Sequence, residues 1–339
     1  MNALSQHLLN DYQRDFPLVP RPFDEIAARL ATRENVLQHY ARLYDSGLVS
    51  RIGPVFRPNT IGVSTLAATR VPPRDLEAVA DFISSLDEVN HNYEREHYLN
   101  LWFVVTAPDW PHLDAVIQRI QEVTGVRVRV LPLVREFHID LGFSLKRAED
   151  PNACLARAPE DPGKPNIDQE DTVASSLINS LQFGLPLVEQ PYAAVGKRVG
   201  IGEQRTIEMI RQWLDRGVIK RFGVVVRHHE LGYRANAMVV FDLPDSEVEH
   251  YGKRLARLPW ITLCYQRPRR RPDWPYNLFC MIHGKERSRV EALIARTIDA
   301  VQLDAFPHDV LFSLRRFKQR AACYRIRNGE SPAKVSAYG

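Results

Sequence analysis

The sequence predicts an α+β protein made by tandem duplication, each half a helix-turn-helix module followed by a ferredoxin-like βαββαβ unit. Three observations lead there. Arg51-Ile52-Gly53-Pro54-Val55-Phe56-Arg57, continuing to Gly62, recurs as Arg221-Phe222-Gly223-Val224-Val225-Val226-Arg227, continuing to Gly232, in a constant register of 170 residues. Solenoid repeats have periods of roughly 20–50 residues, so the repeated object here is a domain. Each copy opens with apolar residues at helical spacing that stop at a glycine, then switches to alternating strand-like segments with helices between them.

The elements follow in order. In the first copy Ile26, Ala27 and Leu30 share one helical face. Val36, Leu37, Tyr40, Leu43 and Tyr44 form a second, ended by Gly47, a natural left-handed terminator. The second copy repeats this over 192–199 and through Ile207, Ile210 and Leu214 to Gly217. Two short helices and a tight turn before a strand predict a helix-turn-helix with a wing. Strands are then expected at 66–71 and 237–241, helices at 73–86 and 245–258, and paired strands at 89–95 with 101–106 and 261–267 with 278–283. Helices at 110–124 and 285–300 and closing strands at 128–134 and 309–314 complete each βαββαβ unit. The expected boundaries are 1–55 and 170–223 for the helical modules and 56–147 and 224–325 for the αβ units. Residues 148–169, rich in Pro, Asp, Glu and Ala, read as a linker, and 326–339 as a tail.

Composition narrows the function classes. The 339 residues are 45% hydrophobic and 25% charged, as in a globular protein. No apolar run approaches the ~18 residues of a membrane span, and no basic-then-apolar leader opens the chain. Four widely spaced cysteines form no CxxC pair, so neither a zinc ribbon nor a disulfide framework is expected. These points predict a reduced, cytoplasmic protein without a metal site or membrane partner. A net charge of +4 is a weak argument for nucleic acid. Its clustering says more: Arg267, Arg269, Arg270 and Arg271, then Arg315, Arg316, Lys318 and Arg320, suit a partner with several anionic groups.

Several longer motifs agree in order and in half. They are Tyr93-Glu-Arg95-Glu-His97-Tyr98-Leu99-Asn100 and Arg135-Glu-Phe137-His138-Ile139-Asp140 in the first copy, and Arg227-His228-His229, Tyr265-Gln-Arg267 through Tyr276-Asn277, and Arg315-Arg316-Phe317-Lys318 in the second. The architecture resembles the Lrp/AsnC family of regulators, and the motifs resemble its offshoot, the siroheme decarboxylases of heme d1 biosynthesis, as a fusion of NirD-like and NirL-like halves. The resemblance implies removal of carboxylates from two acetate side chains of siroheme, giving didecarboxysiroheme. It implies no cofactor, since the iron tetrapyrrole is the substrate, and pairing of the two halves with a possible homo-oligomer or related subunits.

On that reading the octacarboxylate substrate calls for guanidinium groups, which pair carboxylates bidentately. Loss of carbon dioxide leaves carbanion character that must be protonated near neutral pH, the range of histidine. The expected acids are His228 and His97, with His91 as a further member. Arg95, Tyr93, His138, Arg227, His229, Tyr265, Arg267, Arg269, Arg270, Arg316 and Lys318 are expected to bind substrate. Tyr93 and Arg95, like Tyr265 and Arg267, stand two apart on a strand and share a face. The second copy takes ten steps from Arg267 to Asn277 where the first takes five from Arg95 to Asn100, so a basic flap over the ligand is expected. His228 stands where the first copy has Pro58, and Leu263 where it has His91, which predicts one competent composite site and a degenerate opposite one. The alternatives are a DNA-binding regulator and a non-catalytic tetrapyrrole sensor. The first is disfavoured because the recognition-helix segments carry acidic residues (Glu34, Glu203) that would face phosphates.

Overall fold

The computed structural model describes residues 2–139, 172–227, 232, 235–320 and 324; the linker and the tail lie outside them. The described residues group by kind rather than by copy. Those up to Gly62 and from 172 to Arg227 form one compact unit, and those from Val63 to Ile139 and from Gly232 to Tyr324 form the other.

The first unit holds both helical modules. α1 (Ala3–Asn10), α2 (Pro22–Arg29) and α3 (Val36–Asp45) belong to the first copy, and α6 (Thr172–Leu181), α7 (Pro191–Val199) and α8 (Glu203–Asp215) to the second. Pro22 and Pro191 open their helices at the first turn, where a missing N–H costs nothing. Asn35 caps α3, its side chain accepting from the Gln38 N–H at 3.0 Å. Helices α1 and α6 were not expected. They are short and lie ahead of the turn signals that mark the helix-turn-helix.

The wing strands β1 (Val49–Phe56) and β7 (Ile219–Val226) pair antiparallel with each other, Gly53 opposite Gly223. The 170-residue register therefore becomes a local pseudo-twofold axis through that glycine pair. Around it Arg57 N donates to Val218 O at 2.8 Å and Arg227 N to Leu48 O at 2.9 Å. A Cβ on Gly223 would strike the carbonyl of Tyr12, which accepts from Val224 N at 2.8 Å. β1 and β7 run past residues 55 and 223, the expected ends of the helical modules, and in the first copy the unit extends to Gly62.

The second unit holds both αβ modules. The first copy gives β2 (Val63–Thr69), a 3-10 turn (Pro73–Asp75), α4 (Leu76–Ser85), β3 (Val89–Arg95), β4 (Leu101–Ala107), α5 (Trp110–Thr124), β5 (Val128–Pro132) and β6 (Arg135–Ile139). The second gives β8 (Ala235–Phe241), α9 (Val248–Leu255), β9 (Ile261–Gln266), β10 (Leu278–Gly284), α10 (Arg287–Val301) and β11 (His308–Gln319). Nine strands form one sheet in the order β5-β2-β4-β3-β11-β8-β10-β9-β6. In the second copy the closing strand runs to Gln319, beyond the expected 314, while in the first it is split into β5, which stops at Pro132, and β6, which ends at Ile139. The reason is exchange between copies: β11 pairs with β8 through Phe312 and then with β3, while β5 pairs with β2 and β6 with β9.

Two helix-side cores, one per copy, lie under α4–α5 and α9–α10. A third fills the opposite sheet face with Trp102, Trp274, Met238, Phe279 and Leu311. Asn100 and Asn277 show how closely the duplication holds. Each grips one backbone residue through both amide atoms, Asn100 that of Val71 (2.8 and 2.9 Å) and Asn277 that of Leu243 (3.0 and 2.9 Å).

Candidate functional site

The site follows from strand geometry. On β3, Asn92 and Glu94 point toward the helices: Asn92 donates to Ala80 O on α4 at 3.1 Å, and Glu94 accepts from Arg315, which also reaches Glu77. Alternation then turns His91, Tyr93 and Arg95 to the other face. His91 stacks on Tyr93, ring centroids 6.3 Å apart and planes 17° apart. The Arg95 guanidinium lies 5.9 Å from the Tyr93 ring. From the second copy β11 sets Arg316 opposite Tyr93 and Gln319 opposite His91. Both copies thus build this face.

Arg95 is only 8% exposed. Its Nη1 donates to Leu311 O at 3.0 Å, Nε has no partner, and among the described residues it makes no ion pair. Burial pushes its pKa below the ordinary arginine value, with the Tyr265 and Tyr93 phenols as the charged-state neighbours that oppose the shift. Burial likewise raises Tyr93, against the pull of Arg95 and Arg316. A buried charge without a counter-ion costs several kcal/mol. Its retention marks a place where an anion belongs.

The second copy repeats the frame with other content. Arg267 lies 4.6 Å from the Tyr265 ring, and its Nη1 donates to Leu131 O, the counterpart of Leu311. Burial again pulls this guanidinium below its ordinary value, opposed by the Tyr265 phenol, and its Nε likewise has no hydrogen-bond partner. Opposite Tyr265 stands Glu136, and opposite Leu263 stands Ile139.

Other expected site residues are placed elsewhere. The Lys318 Nζ donates to Ser84 O and Leu86 O at 2.6 and 2.7 Å, capping the C-terminal end of α4. A bulge between Arg316 and Lys318 turns it to the helix side, and the matching bulge sets His138 opposite Cys264, whose thiol reaches Gly252 O beside α9. Neither shares the Tyr–Arg face. Arg269 bonds Asp242 and Leu243 O and pairs with Asp245, while Arg270 Nε donates to Val130 O. Trp274 in the same loop is fully buried. The expected flap is a strap pinned at both ends, since Asp242 and Asp245 neutralise its arginine.

His97 is 12% exposed by side chain. Its Nδ1 accepts the Leu99 N–H at 2.9 Å, so the ring proton sits on Nε2, 3.4 Å from Asp309 Oδ2. The ring packs edge-on against Trp274 at 5.4 Å. The equivalent latch in the other copy is Arg129 with Asp273. Both nitrogens of His97 are therefore committed to holding the hairpin, and it does not join the His91 cluster. Arg227 lies at the end of the wing in the first unit, and His228 and His229 lie outside the described residues. Among the described residues no group of three or more His, Cys, Asp or Glu is placed to hold a metal, and no helix is long and apolar enough to cross a membrane.

A siroheme decarboxylase NirDL-like helix-turn-helix family matches residues 5–49 and 175–220, and the AsnC-like ligand-binding domain matches residues 60–138 and 230–318. The siroheme decarboxylase NirDL subunit of Paracoccus denitrificans is 42% identical over 323 residues, covering 95% of this chain and 97% of that one. The chain belongs to the siroheme decarboxylase family. The crystal structure of a siroheme decarboxylase NirDL is 29% identical, with a TM-score of 0.66 over 95% of this chain and 94% of that one. Its complex with an iron-uroporphyrin III analogue matches over the same shares, at 28% identity and a TM-score of 0.65. The fold is the Lrp/AsnC type, duplicated in one chain.

Within this siroheme decarboxylase, Asp309, Gln319 and Glu136 were missed as neighbours of the site. Aligning Arg135–Ile139 on Arg315–Gln319 at a register of 180 exposes the Glu136-for-Arg316 exchange. The partner of His97 has no such signal, because it depends on which copy β11 joins.

Proposed function

We propose that this chain removes the carboxylates of two acetate side chains from siroheme, giving didecarboxysiroheme, and that the tetrapyrrole binds on the His91–Tyr93–Arg95–Arg316 face. The observation that supports this most is the buried Arg95, whose charge meets no carboxylate among the described residues. A carboxylate of the substrate supplies the missing counter-ion, with Arg316 beside it and Tyr93 offering an aromatic surface.

Decarboxylation breaks the bond between the acetate methylene and its carboxylate carbon. The electron pair passes to the macrocycle, carbon dioxide leaves, and the methylene takes a proton to become methyl. His91, stacked on Tyr93 at this face, is the proton donor in this reading. His228 is retained as a second acid on the sequence argument alone, with Arg227 and His229 as further binding groups. His97 acts as a positioning residue through Asp309. The side chains suffice for this chemistry without a further cofactor, the iron being part of the substrate. The helix-turn-helix modules serve as scaffold: Glu34 at the start of α3 is occupied by His39 at 3.3 Å, and Glu203 opens α8, both unfavourable toward phosphates. The protein is read as cytoplasmic and as able to assemble with related subunits.

Anaerobic incubation with siroheme followed by mass spectrometry tests the reading. Loss of two carbon dioxide units is expected with the wild type and its abolition with His91→Ala. Siroheme bound but returned intact by the wild type would instead support the sensor reading.

A further inference from the structure

The two Tyr–Arg faces share a frame and differ in sign. Tyr93 and Arg95 correspond to Tyr265 and Arg267, and each arginine donates to the equivalent carbonyl of a closing strand, Leu311 or Leu131. The opposing strands carry the same bulge, after Arg316 in one and after Glu136 in the other, so the two positions are strictly equivalent. Their neighbours fix which way they point. Arg315 reaches Glu94 and Glu77 on the helix side, and Arg135 likewise reaches Glu249 on α9. Alternation then turns Arg316 and Glu136 to the Tyr–Arg side.

The first face therefore carries Arg95, Arg316 and His91, and the second carries Arg267, Glu136 and Leu263. Exchange of one arginine for one glutamate changes the local charge by two units at a place where low polarity strengthens electrostatics. Both arginines have a buried, unpartnered Nε, so the frame itself is alike in the two copies and the difference lies in the opposing strand.

We propose that this charge inversion confines the tetrapyrrole to one of the two faces, and that Glu136 is the specificity-determining residue that closes the other to polycarboxylates. The inference rests on the binding face assigned under Proposed function.

Anaerobic absorbance titration with siroheme tests it, with circular dichroism to confirm the fold of each variant. One siroheme per chain is expected for the wild type and two for Glu136→Arg, whose turnover at the first face stays unchanged. Glu136→Gln, which alters no volume and so guards against misfolding, should show a second but weaker binding event. Arg316→Glu should weaken the single site at least tenfold. Two sirohemes per wild-type chain, or a single one in folded Glu136→Arg and Glu136→Gln, overturns the proposal. An Arg316→Glu chain with wild-type affinity overturns it as well. Failure of the wild type to bind siroheme at all would instead refute the underlying reading of the face.

Discussion

Arg95→Met exchanges a function-bearing cost for stability, and the balance can be worked from its contacts. The guanidinium is 8% exposed, meets no carboxylate among the described residues, and holds Leu311 O at 3.0 Å with Tyr93 at 5.9 Å. Methionine fills a similar volume and removes a desolvation penalty of several kcal/mol. Against that, the charged hydrogen bond is worth about 1.5–3 kcal/mol and the cation–π contact about 0.5–2 kcal/mol. The difference leaves the unliganded variant equal to the wild type or more stable by about 1–2 kcal/mol, at about 2–4 °C per kcal/mol for a unit of this size. Siroheme reverses the order. At a hundredfold excess over Kd it stabilises the wild type by about 2.7 kcal/mol, and the variant much less. Calorimetric unfolding with and without siroheme should therefore show the two melting temperatures crossing. A variant that melts well below the wild type when unliganded, yet gains as much from siroheme, would mean that Arg95 is structural and would refute the argument.

Two further predictions concern pH. Burial, reinforced by Arg320, pulls the Lys318 ammonium down to about 8. The unfolded side chain titrates near 10.4, so between these values the unfolded state binds more protons and stability rises with pH. Urea titrations of Lys318→Met should lack that alkaline rise. The Asp309 carboxyl is held below its ordinary value chiefly by the hydrogen bond from His97. Its stabilisation is present above about pH 4 and is lost as pH falls through the lower folded value. Asp309→Asn should melt lower at neutral pH and show a shallower acid limb, and an identical acid limb would count against the His97 latch.

Local signals made much of this fold legible. α5 falls on its expected residues because Asp109 caps its start, accepting from His112 N at 2.8 Å, and Gly125 takes the left-handed conformation at its end. β3 falls on its expected residues, and alternation from His91 to Arg95, beyond a bulge after Val89, puts Tyr93 and Arg95 on one face. The outer parts of the closing strands were hidden, because Arg135, Glu136, Arg315, Arg316 and Lys318 read as solvated charge. They are strands only because the other copy offers an edge. One bulge then decided the fate of His138 and Lys318, and a bulge leaves no mark in periodicity. The partners of His97 and Arg269 were hidden for a related reason. The acids that occupy them, Asp309, Asp242 and Asp245, are remote in sequence or belong to the other hairpin arm.

The sign changes between copies point to why the duplication sits in one chain. In a dimer of identical subunits a strand pairing across the twofold axis occurs twice with the same residues, so both faces must be alike. Here the Tyr–Arg frame obeys that symmetry, while the positions around it break it: Arg316 answers Glu136, His91 answers Leu263, and the Asp309 latch of His97 answers Arg129 with Asp273. Each exchange is possible only because the two strands are encoded separately. The latches also differ in kind, an imidazole on Asp309 in one hairpin and a guanidinium on Asp273 in the other. Asp309→Asn should therefore loosen one hairpin and leave the Arg129–Asp273 latch of the other in place, which a symmetric dimer could not do.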